Sequence, residues 1–224
     1  PVTPPHHDHH HHDHRHQPEV AEADAATFWD HRYAERDQIW SGRVNSRLTE
    51  FVEALTPGTA LDLGCGEGAD AVWLAERGWV VTAVDVSTVA LDRASGLASA
   101  RGVADRIDFQ AHDLTRSFPD GEFDLVSAQF FHSPVELPRH VILRRAADAV
   151  APGGRLLIVE HADAPPWSEH LHEGLPTLDE THASLELGTH WQPEYLGTPT
   201  REATAPDGQT VSLRDNVLLL RRDA

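Results

Sequence analysis

The sequence predicts an α/β protein with a doubly wound, mostly parallel sheet of seven strands, a C-terminal antiparallel hairpin and helices on both faces. Between residues 58 and 160, short apolar runs alternate with amphipathic stretches of helical periodicity. Continuous apolar strands between helices are typical of a parallel sheet that is covered on both sides. Near the end of the chain, the turn signal Pro206-Asp207-Gly208 separates two β-rich segments, which predicts the hairpin.

Each predicted element follows from local pattern. An N-terminal helical part covers residues 19–57 and includes a helix over 44–55, where apolar residues recur at helical spacing and Thr56-Pro57-Gly58 ends the run. Short apolar, β-branched runs bounded by turn residues then predict strands, and the amphipathic stretches between them predict helices. The predicted strands cover 60–63, 79–84, 107–111, 123–128, 155–159, 195–204 and 209–221; the predicted helices cover 69–77, 88–101 and 137–150.

Charge and composition narrow the classes of partner. The chain of 224 residues has a formal net charge of −18, from 36 acidic and 18 basic side chains, which disfavours binding to a nucleic-acid backbone. No apolar run approaches the ~20 residues that span a bilayer, so no membrane partner is expected. Cys65 is the single cysteine, which fits a reducing compartment, and we predict a cytoplasmic location. The sequence leaves the oligomeric state open.

Residues 1–18 form a low-complexity tail rich in histidine and aspartate. The tail has too few apolar residues to bury a core, so we expect disorder. It contains no signal-peptide pattern, and the start at Pro1 fits removal of an initiator methionine. Clustered imidazoles and carboxylates bind Zn²⁺, Ni²⁺ or Cu²⁺; a solvated tail without function is the alternative. The candidate metal ligands are His6, His7, His9, His10, His11, His12, His14 and His16.

A glycine-rich loop, Asp62-Leu63-Gly64-Cys65-Gly66-Glu67-Gly68, joins the first predicted strand to the next helix. Glycines allow a tight turn and a close approach of ligand to backbone, as in Rossmann-like folds. Asp85 ends the second strand, where an acid can accept hydrogen bonds from ribose hydroxyls. A nicotinamide or flavin dinucleotide is one candidate ligand. The acids Asp62 and Glu67, however, would repel its pyrophosphate and suit a cationic ligand.

The sequence Asp-Leu-Gly-Cys-Gly-Glu-Gly resembles motif I of the class I S-adenosylmethionine-dependent methyltransferases, and the resemblance covers about residues 40–160. It implies that donor-binding residues follow the ends of the strands and line the methionine, ribose and adenine parts of S-adenosylmethionine. Trp40-Ser41-Gly42-Arg43-Val44-Asn45 resembles the N-terminal lid of small-molecule members similar to the tellurite-resistance and thiopurine-type enzymes. The implied donor-binding residues are Trp40, Asn45, Asp62, Gly64, Cys65, Gly66, Asp85, Val86, Asp113, Leu114, Gln129 and Phe130.

The resemblance implies transfer of a methyl group to a small-molecule acceptor in a lidded crevice. His132 follows the fourth predicted strand and His161 the fifth, so each is a candidate general base at the same edge of the sheet. We expect residues 58–160 to bind the donor, an insertion over 161–195 to select the acceptor, and 196–224 to form the hairpin. A metal-responsive protein acting through its tail and an NAD(P)-binding oxidoreductase are the alternatives. The insertion's candidate acceptor-side residues are Trp167, His170, His172, His182, His190 and Trp191.

Overall fold

The computed structural model describes residues 24–168 and 174–224. They form a single mixed sheet flanked by helices. The helices are α1 (Ala25–Ala34), α2 (Ser46–Val52), α3 (Ala69–Glu76), α4 (Thr88–Ala100), α5 (Arg139–Asp148) and α6 (Leu178–Ser184), with a 3₁₀ turn at Ala104–Arg106. The strands are β1 (Thr59–Leu63), β2 (Val80–Asp85), β3 (Ile107–Ala111), β4 (Phe123–Gln129), β5 (Val150–His161), β6 (Trp191–Gly197), β7 (Thr200–Thr204) and β8 (Thr210–Arg222).

The sheet order is β3-β2-β1-β4-β5-β8-β6, with β7 also paired to β8. The first five strands run parallel to one another, and β8 is antiparallel to β5, β6 and β7. The strand order reverses between β1 and β4, the two central strands. Ligands of open α/β sheets bind outside the carboxyl ends of the strands at such a switch point, so the topology places the site there.

Side chains on the two faces of the sheet form two separate apolar clusters. On one face Ala60 of β1 packs with α2, α3 and α4; on the other, Leu61 and Leu63 pack with α5. All three β1 side chains are fully buried, as expected for a central parallel strand covered by helices on both sides. This two-sided core confirms the predicted α/β class and fixes the carboxyl ends of β1, β2 and β4.

The structure has eight strands where the sequence predicts seven. The segment predicted as one strand over 195–204 is two strands, β6 and β7, separated at Thr198-Pro199. Pro199 has no N–H to donate to a strand ladder, which favours the break. Because β6 and β7 pair with successive parts of β8, the two short strands together take the place of the predicted one.

Two further elements differ from prediction. Helix α2 covers only Ser46–Val52 of the predicted 44–55, because Asn45 is already extended at its N-cap. Strand β5 begins at Val150 rather than at 155, and Pro152-Gly153-Gly154 lies in an irregular part of it where the register with β4 shifts. The acceptor-side insertion contains a helix, α6, which begins with a complete capping box at Thr177 and Glu180. Among the described residues, no helix is long and apolar enough to cross a membrane.

Candidate active site

A cavity of about 850 Å³ opens at the carboxyl ends of β1, β2 and β4. Residues 24–45, which we call the N-terminal segment, cover it together with residues of β7. The volume lies near the upper end of the ~300–1,000 Å³ typical of small-molecule sites. The cavity is lined by all fourteen residues predicted for the donor and for catalysis: Trp40, Asn45, Asp62, Gly64, Cys65, Gly66, Asp85, Val86, Asp113, Leu114, Gln129, Phe130, His132 and His161.

The glycine loop forms the floor of the cavity. Gly64, Gly66 and Gly68 have φ angles of 66°, 52° and 85°, in the left-handed region that favours glycine. A Cβ on Gly64 would lie 2.8 Å from a ring carbon of Phe131, and one on Gly68 would lie 2.6 Å from the Cβ of Ala94. Only glycine therefore allows this turn to pack closely while its backbone faces the cavity.

Asp85 connects the glycine loop to the start of α4. Its Oδ2 accepts a hydrogen bond of 2.9 Å from the backbone N–H of Gly66, and its Oδ1 accepts one of 2.9 Å from Ser87. Burial raises the pKa of Asp85, and the two backbone donors oppose that rise. The carboxylate is thus held in a fixed orientation at the cavity wall, and it retains lone pairs for a ligand.

Two more carboxylates, Asp62 and Asp70, are buried at the same end of the cavity. Asp62 is 2% exposed, and its Oδ2 has no hydrogen-bond partner among the described residues. Burial raises the pKa of Asp62 well above its usual range, and the charges of Asp70 and Asp85 raise it further. None of these three acids forms a salt bridge within the described parts of the chain. We call them the acid cluster.

Asp70 is a site residue that the sequence analysis missed. Its Oδ1 accepts a hydrogen bond of 2.8 Å from the backbone of Asn45, and its Oδ2 accepts one of 2.7 Å from the Asn45 side chain. Asn45 is therefore held by Asp70 at the cavity wall. An acid in the first turn of a helix is common because it favours the helix dipole, so its position in the sequence did not distinguish it from an ordinary capping residue.

Glu67 does not act as the sequence analysis expected. Its carboxylate pairs with Arg93 at 2.9 Å and accepts backbone hydrogen bonds from Ile39 and Trp40. The charge of Glu67 is therefore balanced by an arginine and is used to hold the N-terminal segment. A pyrophosphate would accordingly be repelled by the acid cluster rather than by Glu67.

Three aromatic residues of the N-terminal segment, Trp29, Tyr33 and Trp40, line the cavity and form hydrogen bonds beside it. Trp40 donates its indole N–H to the Tyr33 hydroxyl at 2.8 Å, and Trp29 donates to Ser133 Oγ at 3.2 Å. Burial raises the pKa of Tyr33, with a further contribution from Asp85. Tyr33 is 3% exposed while Trp40 is 50% exposed. Tyr33 thus packs in the core and also lines the cavity.

Asp113 and Gln129, two of the predicted donor-binding residues, also line the cavity. Asp113 Oδ1 accepts hydrogen bonds from the backbone and the hydroxyl of Thr115 at 3.0 and 2.6 Å, which forms a tight turn after β3. Gln129 donates to Ser127 Oγ at 3.0 Å, and its Oε1 has no partner among the described residues. The Asp113 carboxylate thus shapes its own loop, and its contact with adenine stays a prediction.

His132 and His161 lie together on the other side of the cavity. Their rings are stacked with centroids 5.9 Å apart, and the His161 ring lies 4.4 Å from that of Phe130. Burial lowers the pKa of His132 to about 3, with help from Arg139, and lowers that of His161 to about 4, with help from Arg201. His132 Nε2 and His161 Nδ1 are buried without a partner in the described structure. Both imidazoles are therefore neutral at pH 7 and able to accept a hydrogen bond.

The expectation that the insertion supplies the acceptor-side residues is only partly matched. Trp167 lines the cavity, whereas His182, His190 and Trp191 do not, because α6 and β6 lie against the apolar cluster of the α5 face. His170 and His172 lie outside the described residues, as do the candidate metal ligands of the tail and the 1–18 boundary. The strand β7 supplies lining residues that were not predicted: Arg201, Glu202, Ala203 and Thr204.

In residues 24–168 and 174–224, no group of three or more histidine, cysteine, aspartate or glutamate side chains could hold a metal ion. The acid cluster is therefore not arranged as a metal centre. Binding of Zn²⁺, Ni²⁺ or Cu²⁺ by the tail stays a prediction.

Comparison with known proteins agrees with this geometry. Residues 60–154 match the family described as "Methyltransferase domain". The 2-heptyl-1-hydroxyquinolin-4(1H)-one methyltransferase of Mycobacteroides abscessus is 34% identical over 134 residues, which are 57% of this chain and 58% of that protein. The 27-O-demethylrifamycin SV methyltransferase of Amycolatopsis mediterranei is 32% identical over 135 residues, or 58% of this chain and 48% of that protein. The chain thus spans about half the length of these curated relatives.

Solved structures share the fold. A protein from a study of the conversion of a disulfide bond into a thioacetal group during echinomycin biosynthesis has a TM-score of 0.69 at 24% identity, covering 88% of this chain and 93% of its own. TehB from Haemophilus influenzae has a TM-score of 0.64 at 17% identity, covering 87% and 66%. The fold and the glycine-loop cavity define a Rossmann-like α/β protein with a ligand-sized cavity at the carboxyl ends of its parallel strands. This chain is similar over residues 60–154 to methyltransferase domains, and it shares the fold of S-adenosylmethionine-dependent methyltransferases of known structure.

Proposed function

We propose that this protein transfers a methyl group from S-adenosylmethionine to a small-molecule acceptor bound in the cavity. The observation that carries the proposal is the acid cluster beside the glycine loop, where Asp62, Asp70 and Asp85 are buried without a salt bridge in the described structure. Buried carboxylates without a balancing positive charge are costly. A ligand that brings both a sulfonium and an α-ammonium offsets this cost, whereas a pyrophosphate would add to it.

The residues fit the donor part by part. Asp85 is placed to accept hydrogen bonds from the ribose hydroxyls, while Asp62 and the glycine backbone face the methionine part. Val86, Asp113 and Leu114 would border the adenine, and Gln129 and Phe130 the boundary between donor and acceptor. Trp40 and Asn45 would close over the donor from the N-terminal segment. When bound, the donor supplies a methyl group activated by its positive sulfur, so the protein chiefly has to align the acceptor and exclude water.

His132 and His161 are proposed to act on the acceptor. Each lines the cavity, is neutral at pH 7 and has a buried ring nitrogen without a partner among the described residues. An acceptor hydroxyl, thiol or amine becomes far more acidic as it gains a methyl group, so even a weakly basic imidazole can take its proton at that stage. Relatives named for a hydroxyquinolone and a rifamycin support a small-molecule acceptor over a macromolecular one.

Donor binding can be tested by calorimetry on the full chain. S-adenosylhomocysteine should bind the wild type, and Asp85→Asn should raise its Kd by roughly ten- to a hundred-fold, since hydrogen bonds to a charged group contribute about 1.5–3 kcal/mol. Asp92→Asn, at an exposed site on α4, is the matched control and should leave the Kd unchanged. Binding of NADH in place of S-adenosylhomocysteine, or an unchanged Kd in Asp85→Asn, would contradict the proposal.

Methyl transfer itself is tested by screening phenols, thiols, amines and tellurite with labelled donor. For any acceptor that is methylated, His132→Gln and His161→Gln identify the base. Loss of a general base lowers kcat by about 10²–10⁴-fold, with little change in donor Kd. If both variants keep full kcat, the histidines only shape the cavity.

A further inference from the structure

The cavity is electrically asymmetric. The acid cluster occupies the wall beside the glycine loop, whereas an arginine of β7, Arg201, lines the wall that also holds His161 and Phe130. The charge of Arg201 lowers the pKa of His161, and its Cζ lies 5.4 Å from the centroid of the Phe130 ring. A ligand that fills the whole cavity therefore meets negative charge at one end and positive charge at the other.

Arg201 is fixed from one side only. Its Nε donates to Asp215 Oδ2 at 2.7 Å, and its side chain is 23% exposed. No hydrogen bond from its Nη1 or Nη2 to a described residue is present. Because the guanidinium is planar and rigid, a bond at Nε leaves the two Nη groups as an oriented pair of donors.

The neighbouring arginine, Arg47, has no such capacity. It also donates through Nε to Asp215, but its Nη1 pairs with Glu50 and its Nη2 donates to the carbonyls of Pro199 and Thr200. Arg47 is therefore a structural link between α2 and the start of β7. The contrast indicates that Asp215, buried between the two arginines, orients Arg201 while Arg47 supports Asp215.

Apart from its ion pair with Asp215, which Arg47 shares, Arg201 has no charged partner among the described residues. Glu136 and Glu202 line the cavity but are exposed, so water screens them. Trp29 and Trp167 also line the cavity and offer flat apolar surface to a ring. The acceptor end thus combines aromatic surface, two neutral imidazoles and one guanidinium whose Nη groups bind none of the described residues.

We propose that Arg201 is the acceptor-binding residue that selects an anionic oxygen, so that the acceptor is a hydroxylated aromatic or conjugated molecule carrying a carboxylate or an ionised enol. The inference rests on the proposed function, which places the acceptor at this end of the cavity. A guanidinium binds a carboxylate through two parallel hydrogen bonds. Arg201 would then fix the ring while the acceptor's hydroxyl lies against His132 or His161.

The test compares two probes of nearly equal shape on the full chain saturated with S-adenosylhomocysteine. The probes are 1-hydroxy-2-naphthoate and its amide, 1-hydroxy-2-naphthamide, and binding is measured by calorimetry. The wild type should bind the carboxylate more tightly than the amide, and Arg201→Gln should remove ~10-fold or more of that preference. Arg201→Lys keeps the positive charge and should therefore keep part of the preference for the carboxylate. Arg221→Gln, at an exposed position of β8, is the matched control and should behave as the wild type.

The outcomes separate the two proposals. If S-adenosylhomocysteine does not bind, the proposed function fails before the probes are added. If it binds but the wild type prefers the amide, binds neither probe, or keeps its preference in Arg201→Gln, the assignment of Arg201 is overturned while donor binding stands. Should Arg201→Gln fail to fold, loss of S-adenosylhomocysteine binding would reveal it, and the result for Arg201→Lys then decides. A preference for the carboxylate that is reduced relative to the control supports the assignment of Arg201, and a preference equal to that of the control overturns it.

Discussion

At the scale of single residues, Asp62 shows a conflict between stability and binding. Its carboxylate is buried beside Asp70 and Asp85, and one of its oxygens has no partner in the described structure. A buried charge without compensation destabilises the folded state. Sites that bind charged ligands commonly retain such unfavourable groups, because the ligand supplies the missing partner.

We therefore predict that Asp62→Asn makes the ligand-free protein more stable and the donor complex weaker. The substitution removes a carboxyl whose ionisation burial disfavours and keeps the shape of the side chain, so thermal unfolding of the ligand-free variant at pH 8 should occur a few degrees higher, as roughly 1 kcal/mol would give. Calorimetry should show a Kd for S-adenosylhomocysteine raised ~10-fold or more. A variant with lower thermal stability and unchanged affinity would contradict the account of the acid cluster.

Individual site residues differed in how well the sequence predicts them. Asp62 and Asp85 are identified because the glycine loop and the strand end mark their positions. Asp70 and Arg201 are not identified from the sequence. Asp70 looks like a common acid at the start of a helix. Arg201 belongs to β7, and the side of the sheet on which its side chain lies can be assigned only once the strand break at Pro199 is known. Their roles depend on contacts distant in the chain, with Asn45 and Asp215 respectively.

At the scale of elements, the ion pair between Arg93 and Glu67, which we call the clasp, joins the N-terminal segment to α4 and to the glycine loop. Arg93 of α4 pairs with Glu67 and donates to the carbonyls of Tyr33 and Arg36 at 2.7 and 2.8 Å. Glu67 in turn accepts from the backbone of Ile39 and Trp40. One ion pair therefore satisfies four backbone groups of a segment that has little regular structure after α1.

Removing this clasp should loosen the cover of the cavity without unfolding the sheet. In Arg93→Gln we expect S-adenosylhomocysteine to dissociate faster by ~10-fold, because several charge-assisted hydrogen bonds to the segment are lost. Limited proteolysis should also cut within residues 35–45 sooner than in the wild type. Arg101→Gln, on a side chain 58% exposed that pairs with Glu76, is the control. Equal dissociation rates in the two variants would show that the segment is held by its aromatic contacts instead.

Elements with strong periodicity are the ones the sequence predicts best. The predicted β3 agrees with the structure at both ends, and β1, β2, α3 and α4 agree within one residue, because continuous apolar runs and glycine stops set their limits. The edge of the sheet is less regular. The division into β6 and β7 and the irregular start of β5 arise from how the strands pair with one another, which local patterns do not record.

At the scale of the whole molecule, the cavity contains two groups of titrating residues with opposite effects on stability. The acid cluster has raised pKa values, so its contribution to stability improves as pH falls. His132 and His161 have pKa values lowered to about 3 and about 4, below the ~6.5 of a histidine in an unfolded chain. As pH falls from 6.5 towards 4, these histidines bind protons in the unfolded chain but not in the folded protein. The contribution of His132 and His161 to the free energy of unfolding is therefore lost over this range.

Comparing variants isolates the histidine contribution, because the carboxylates are the same in each. We predict that the double variant His132→Gln, His161→Gln loses less stability than the wild type between pH 7 and pH 5, measured as the shift of the urea midpoint. His140→Gln, at an exposed site on α5, should follow the wild type. The expected difference arises only if both rings stay neutral in the folded protein, which is also the state that their proposed role as proton acceptors requires. A double variant with the same pH dependence as the wild type would mean that the folded histidines protonate near pH 6.5, and they would then be charged partners of the acceptor rather than bases.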